Sequence, residues 1–129
     1  MITIAKTFKF DVAHRLPYYS GKCKNLHGHT MKLRVVISGP VIDRGIYQGM
    51  VMDFNQVKDM VRINIVNELD HHYLNELDCC DFPVDNPTAE NVVKWIYNTL
   101  QEIISSYGAD LSLVSVRLWE TENSWVEYK

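Results

Sequence analysis

The sequence predicts an α+β domain, with an antiparallel sheet and two helices packed on one of its faces. Two long stretches near the start alternate apolar and polar residues, two later stretches place apolar residues at three-and-four spacing, and a further alternating stretch closes the chain. Strands that follow one another directly, and helices that fall together, are the pattern of an antiparallel sheet with segregated helices.

The first strand covers 2–14. Ile2, Ile4, Phe8, Phe10 and Val12 hold even positions, while Thr3, Thr7, Lys9 and Asp11 fill most odd ones and Lys6 interrupts. Side chains alternate across a strand, so its last even position, His14, shares the face of Phe10 and Val12. The second strand starts at His27 and continues through His29, Met31, Leu33, Val35 and Ile37, against Thr30, Lys32, Arg34 and Ser38. Both of its histidines lie on the apolar face. Residues 15–26 carry Pro17, Ser20, Gly21 and Asn25, a long loop joining an antiparallel pair.

Ser38-Gly39-Pro40 ends the second strand, and Asp43-Arg44-Gly45 marks a turn before a short segment, 50–54, that reads as a hairpin extension. Asp53 or Asn55 caps a helix whose apolar positions Val57, Met60, Val61 and Ile65 extend to about Asn67. Residues 68–77 are polar and histidine-rich, and 78–87 is a loop with Pro83 and Pro87. Thr88 is the N-cap of a second helix, Glu90 complements its dipole, and Val92, Val93, Ile96, Leu100, Ile103 and Ile104 form one stripe before Gly108 ends it. The last long strand covers 111–120. It puts Val114, Val116, Leu118 and Glu120 on one face and Leu113, Ser115, Arg117 and Trp119 on the other; 125–128 adds an edge strand. Val36, Leu113 and Trp119 make the second sheet face less polar than solvent requires, and oligomerisation is a natural use for it.

The chain has 129 residues, 47% hydrophobic and 22% charged, with no internal repeat or linker, so 1–129 reads as a single packed domain. The longest uncharged apolar runs fall far below the ~20 residues that cross a bilayer. The start of the sequence shows no secretory signal, which gives a cytoplasmic address as the expectation. A net charge of −3 without a dense Lys/Arg cluster speaks against nucleic acid. Cys23 and the adjacent Cys79 and Cys80 do not suggest a disulfide framework, and the adjacent pair reads as inert thiols.

His27-Gly28-His29 sets two imidazoles on one strand face, with Cα atoms about 7 Å apart. Two imidazoles at that spacing can chelate one metal. His14 ends the neighbouring strand on the same face, so three neutral nitrogens converge and leave a fourth tetrahedral position open, the pattern of catalytic zinc. Gly28 between them fits a close approach by another group. Each histidine taken singly reads equally well as an ordinary polar group at a strand end. Cys23, flanked by Lys22 and Lys24, is either a fourth ligand, a base, or an inert loop thiol. Asp70-His71-His72 reads either as a carboxylate orienting an imidazole for proton transfer or as a solvated turn. Glu120 closes its strand on the apolar face, where its carboxylate either meets the N–H edge of a guanidine-like ring or sits at the rim in solvent.

Taken in order, Phe10-Asp11-Val12-Ala13-His14, Cys23-Lys24-Asn25-Leu26-His27-Gly28-His29, Gly49-Met50-Val51-Met52-Asp53-Phe54, Leu69-Asp70-His71 with Leu74-Asn75, Pro87-Thr88-Ala89-Glu90-Asn91 and Glu120-Thr121 span nearly the whole chain. With these motifs the sequence resembles the 6-pyruvoyltetrahydropterin synthase superfamily. The three residues between Cys23 and His27 make it most similar to the bacterial 6-carboxy-5,6,7,8-tetrahydropterin synthase branch of queuosine biosynthesis, since the animal enzymes have a longer interval.

The resemblance implies the tunnelling fold, in which subunits join their sheets into a barrel, commonly as a homohexamer of two trimers with active sites at subunit interfaces. It implies Zn2+ on His14, His27 and His29, Cys23 as general base, Asp70 and His71 as the remaining catalytic pair, and Glu120 as anchor of a pterin ring. His72 stands beside the matched His71 and can share its role. Arg15, Lys22 and Lys24 are candidates for the triphosphate by charge and loop position. The implied reaction converts 7,8-dihydroneopterin triphosphate to 6-carboxy-5,6,7,8-tetrahydropterin, releasing acetaldehyde and triphosphate. The alternatives are the pyruvoyl-forming reaction of the animal branch, a metal-dependent pterin-binding module without turnover, and a purely structural interaction domain.

Overall fold

A computed structural model describes all 129 residues. Its five-stranded sheet has the order β3-β1-β2-β4-β5, with β1 at Ile2–His14, β2 at His27–Gly39, β3 at His72–Tyr73, β4 at Ser112–Thr121 and β5 at Ser124–Tyr128. β1 and β2 pair antiparallel along their full length, from Ile2 opposite Gly39 to His14 opposite His27. Phe8, Phe10, Val12, Met31, Leu33, Val35, Ile37, Val116 and Leu118 form the sheet's buried face. The two alternating stretches therefore fold as their period demands.

The helices cover that buried face. α1 (Phe54–Val61) starts at Asp53, whose carboxylate accepts from Asn55 N–H at 3.0 Å. It runs through a π turn, Arg62–Val66, into α2, Asn67–Leu69. Within the π turn the Asn64 side-chain amide donates to the Met60 carbonyl at 2.8 Å. That carbonyl is the acceptor Asn64's own N–H would use in an α-helix, so the side chain competes with the ladder where the helix widens. α3 (Ala89–Ile103) buries Val92, Val93, Trp95, Ile96 and Leu100, with Thr88 as its N-cap accepting from Asn91 N–H at 3.2 Å. A 3-10 turn, Ile104–Ser106, follows, and Ile104 is buried like the stripe before it. No helix is long and apolar enough to cross a membrane.

Three elements differ from the sequence expectation. The hairpin extension at 50–54 is absent. Ile42 N–H donates to Met50 O and Gly49 N–H to Ile42 O, at 2.8 and 2.9 Å, but this closes a loop and not a ladder. Gly49 turns the chain at φ 86°, and Pro40 has no N–H with which to extend the pairing. The short strand is instead β3, parallel to Val12 and Ala13 of β1. A two-residue edge strand in a polar stretch has no readable period.

The third difference is in β4. Val36 lies opposite Ser115 and Ile37 opposite Leu113, so Val114 is the extra residue of a β-bulge. The bulge returns Leu113 to the core face, 5% exposed, and leaves Val114 at 40%. The bulge thus takes Leu113 off the second face. The tryptophans of that face are also capped by cations: Lys32 Nζ lies 4.6 Å from the Trp119 ring centre and the Arg117 guanidinium 3.8 Å from that of Trp125.

Urea unfolding separates the two faces. Leu113→Ala is expected to cost about 2–5 kcal/mol as a buried leucine. Val114→Ala is expected to stay within about 0.5 kcal/mol; equal losses would remove the bulge.

Candidate metal centre

The end of the β1–β2 ladder brings the three histidines together. His14 faces His27 across the pair, and His29 lies two residues along on the same face. Their ring centres are 4.6 Å apart for His14 and His27, 5.1 Å for His14 and His29, and 4.8 Å for His27 and His29. The Nε2 atoms of all three are buried without a hydrogen-bond partner. A Cβ at Gly28 would stand 3.3 Å from the Val12 carbonyl, so the residue between the two β2 histidines has little room for a side chain.

The other ring nitrogens explain this arrangement. His14 Nδ1 donates to the Pro87 carbonyl at 2.8 Å, and His27 Nδ1 donates to the Asn25 carbonyl at 2.8 Å. A carbonyl only accepts, so Nδ1 carries a proton in each ring, and in the neutral ring Nε2 then keeps its lone pair. The Asn25 carbonyl is set by the single 3-10 turn Lys22–Lys24, which Asn25 N–H closes onto Lys22 O at 3.0 Å. Burial lowers the pKa of His14 and of His29 below 6.5, and the neighbouring His27 acts in the same direction. The Pro87 carbonyl opposes the shift at His14 and Glu120 opposes it at His29. These two rings are neutral at pH 7 and offer lone pairs to a cation.

Glu120 joins them. Its Oε1 lies 3.1 Å from His29 Nε2, without the alignment of a hydrogen bond, and the four ligand atoms of His14, His27, His29 and Glu120 fall within 4.8 Å of one another. Three orphaned imidazole nitrogens suit a divalent metal ion, with the Glu120 carboxylate standing beside them. The sequence placed Glu120 on the same strand face as the core but not beside the histidines. The signal that could have found it is the strand parity it shares with Val116 and Leu118, once β4 is known to neighbour β2.

Cys23 is not part of this cluster. It lies half-buried in the Lys22–Lys24 turn, and its carbonyl accepts from Leu16 N–H at 2.8 Å, which ties the loop to the end of β1. The position beside the histidines that the sequence left open to it is taken by Glu120. The Cys79 thiol is pushed up by burial and by Glu68, and that of Cys80 by the charge of Asp81, so both are poor nucleophiles.

The Asp70–His71 pair forms, but at the free edge of β1. Asp70 Oδ1 accepts from Asp11 N–H and lies 2.9 Å from His71 Nδ1, while His71 N–H donates to Asp11 O at 2.7 Å. The Asp11 carboxylate also lies within 4.8 Å of both, and Asp11 projects from the face opposite Val12 and His14. The two groups of chemistry-bearing residues are thus separated by the sheet. His71 has φ 60°, and its side chain is 76% exposed. His72 Nδ1 donates to the Asp70 backbone carbonyl at 2.9 Å, so only His71 takes the carboxylate. A cavity of about 650 Å3 opens elsewhere, lined by Asn64, Glu68, Cys79, Lys94 and Trp95 among others, and no residue of the histidine cluster reaches it.

The model of the 6-pyruvoyl tetrahydropterin synthase family matches residues 3–129. The chain belongs to this family. It is 38% identical over 145 aligned positions to a 6-carboxy-5,6,7,8-tetrahydropterin synthase of Haemophilus influenzae, covering 100% of this chain and 99% of that one. A dihydroneopterin monophosphate aldolase of Pyrococcus furiosus is 36% identical over 118 positions, covering 92% of this chain and 89% of the relative. Among solved structures, the 6-pyruvoyl tetrahydropterin synthase of Caenorhabditis elegans superposes with a TM-score of 0.79 at 27% identity, over 99% of this chain and 94% of that one. The five-stranded sheet with its helices on one face is the fold of that family member.

The Asp70 carboxyl is held below the usual carboxylate range, chiefly by Asp11 N–H and also by His71, against a smaller opposing effect of burial. A lowered folded-state pKa gives stability that is present above the unfolded carboxylate value and is lost as pH falls through that value toward the lower folded one. Tm followed from pH 6 to pH 3 is therefore expected to fall less steeply in Asp70→Asn than in wild type. Parallel curves would show that Asp70 carries no such linkage.

Proposed function

We propose that the chain is a zinc-dependent cytoplasmic lyase that converts 7,8-dihydroneopterin triphosphate and one water to 6-carboxy-5,6,7,8-tetrahydropterin, with release of acetaldehyde and triphosphate, in queuosine biosynthesis. The observation that carries the reading is the set of three buried, partnerless Nε2 atoms beside Glu120 in a chain of this family. The full-length match to the Haemophilus influenzae synthase supports the choice of branch.

His14, His27 and His29 would hold the metal. A bound Zn2+ supplies Lewis acidity toward the hydroxyls of the substrate side chain. Glu120 anchors the pterin, because a carboxylate can accept two parallel N–H donors from a guanidine-like ring edge. Cys23 takes a side-chain proton as general base, its loop held to β1 by the Leu16–Cys23 bond. His71, oriented by Asp70, moves the complementary proton. Arg15, Lys22 and Lys24 offer positive charge to the triphosphate.

Because Asp70 and His71 lie across the sheet from the histidines of the same chain, the reading gives them to the metal site of a neighbouring copy. The strand edges support such an assembly. β3 covers Val12 and Ala13 of β1, and Asp70 and His71 take the N–H and carbonyl of Asp11, which leaves the part of that edge before Asp11 free; β5 is the other edge. Three successive antiparallel pairings set β5 antiparallel to β1, so β5 of one copy can continue the ladder on β1 of the next. Closure into a trimeric barrel, paired into a hexamer, removes both edges.

Mass spectrometry of products from zinc-loaded protein and 7,8-dihydroneopterin triphosphate tests the activity. Wild type is expected to form 6-carboxytetrahydropterin and acetaldehyde, and Cys23→Ala to lose roughly 100-fold or more of the rate, the usual contribution of a general base. A pyruvoyl product would move the chain to the animal-type branch. Bound zinc without turnover would leave a pterin-binding module. Sedimentation is expected to give a mass that is a multiple of three chains, and a monomer would exclude the shared site.

A further inference from the structure

The first turn of α3 reaches the histidine cluster through a chain of hydrogen bonds that contains no metal ligand except His14. His14 Nδ1 donates to the Pro87 carbonyl at 2.8 Å. Pro87 is the middle residue of a tight turn closed by Thr88 N–H donating to Asn86 O at 2.8 Å. A three-residue turn of this kind fixes the peptide planes on both sides of its central residue, and with them the direction of its carbonyl. The same Asn86 oxygen takes a second donor, Asn91 Nδ2, at 2.8 Å. Asn91 N–H donates in turn to the capping hydroxyl of Thr88 at 3.2 Å. One asparagine is thus bonded to the residue before Pro87 and to the residue after it.

We propose that Asn91 is a positioning residue for the metal centre. Its amide holds the 86–88 turn, the turn aims the Pro87 carbonyl, and the carbonyl keeps the proton on His14 Nδ1 so that Nε2 faces the cluster with a free lone pair. This rests on the reading of His14 as a metal ligand and adds the residue that sets its tautomer. Helix chemistry alone does not require asparagine here. An aspartate in the first turn complements the helix dipole and keeps the backbone bond to Thr88. What aspartate lacks is the donor, and its carboxylate would stand against the Asn86 carbonyl.

Asn91→Asp in the full-length chain therefore separates helix stability from positioning. The readouts are the 15N imidazole signals of His14 in the metal-free protein, apparent zinc affinity by competition with a chelator, and Tm. Wild type is expected to show one His14 tautomer with the proton on Nδ1. In Asn91→Asp, Tm is expected to hold or rise while a second, Nε2-protonated tautomer appears and zinc affinity falls about tenfold, as for loss of an outer-shell partner. Asn91→Gln, which keeps an amide donor, is expected to recover part of both, and Asn91→Ser gives the same loss should the aspartate variant not fold. Unchanged tautomer and affinity would overturn the proposal, and so would a fall in Tm with His14 unchanged, which would assign Asn91 to helix capping alone. A tautomer that depends on Asn91 in a chain that binds no zinc would uphold the positioning role and remove the metal reading instead.

Discussion

The contacts of His14 with His27 and His29 depend on the register of β1 against β2. The two strands stay in step from Ile2 and Gly39 to His14 and His27, and His29 faces Val12 two residues inside the end. A slip of one residue would turn one strand's whole apolar set to the opposite face, so the buried row of Phe8, Phe10, Met31 and Leu33 locks the register that the histidines need. The core that stabilises the fold and the placement of the ligands are therefore the same constraint. Burial then supplies the electrostatics, because taking the rings out of water keeps His14 and His29 neutral.

The other connections to the site are made by backbone carbonyls and N–H groups of loops. Asn25 orients His27, Pro87 orients His14, and the Leu16–Cys23 bond holds the cysteine loop to the end of β1. The Asn75 side-chain amide holds the Arg15 backbone in the same way, accepting from its N–H and donating to its carbonyl, both at 2.9 Å, where β3 has already ended. Each loop is long in sequence but tied down within a residue or two of a strand end. That allows a site on a strand terminus to be built with little flexibility, since its supports are short-range hydrogen bonds to rigid elements.

The sheet also divides the chemistry. One face carries the histidine cluster and the packed helices, while the Asp70–His71 pair and Asp11 lie at the free edge of β1 toward the other face. The cation-capped Trp119 and Trp125 lie on that second face as well. A single copy holds both parts without bringing them into contact.

The sequence by itself determined β1, β2, both helical segments and the Thr88 cap, because a half-buried strand and an amphipathic helix write their periods into consecutive residues. It also determined the shared face of His14, His27 and His29, since that follows from alternation and one antiparallel pairing. Other features depend on residues distant in the chain, and only the tertiary structure decided them. The bulge at Val114 exists because β4 must match β2 across the sheet, and it moved Leu113 from one face to the other. β3 exists because the edge of β1 was free to pair with it. Glu120, rather than Cys23, came to stand beside the histidines because strand order sets β4 next to β2, while Cys23 stays in a turn fixed by its own local bonds. Local pattern is readable from one segment, whereas strand order and register are properties of pairs of segments.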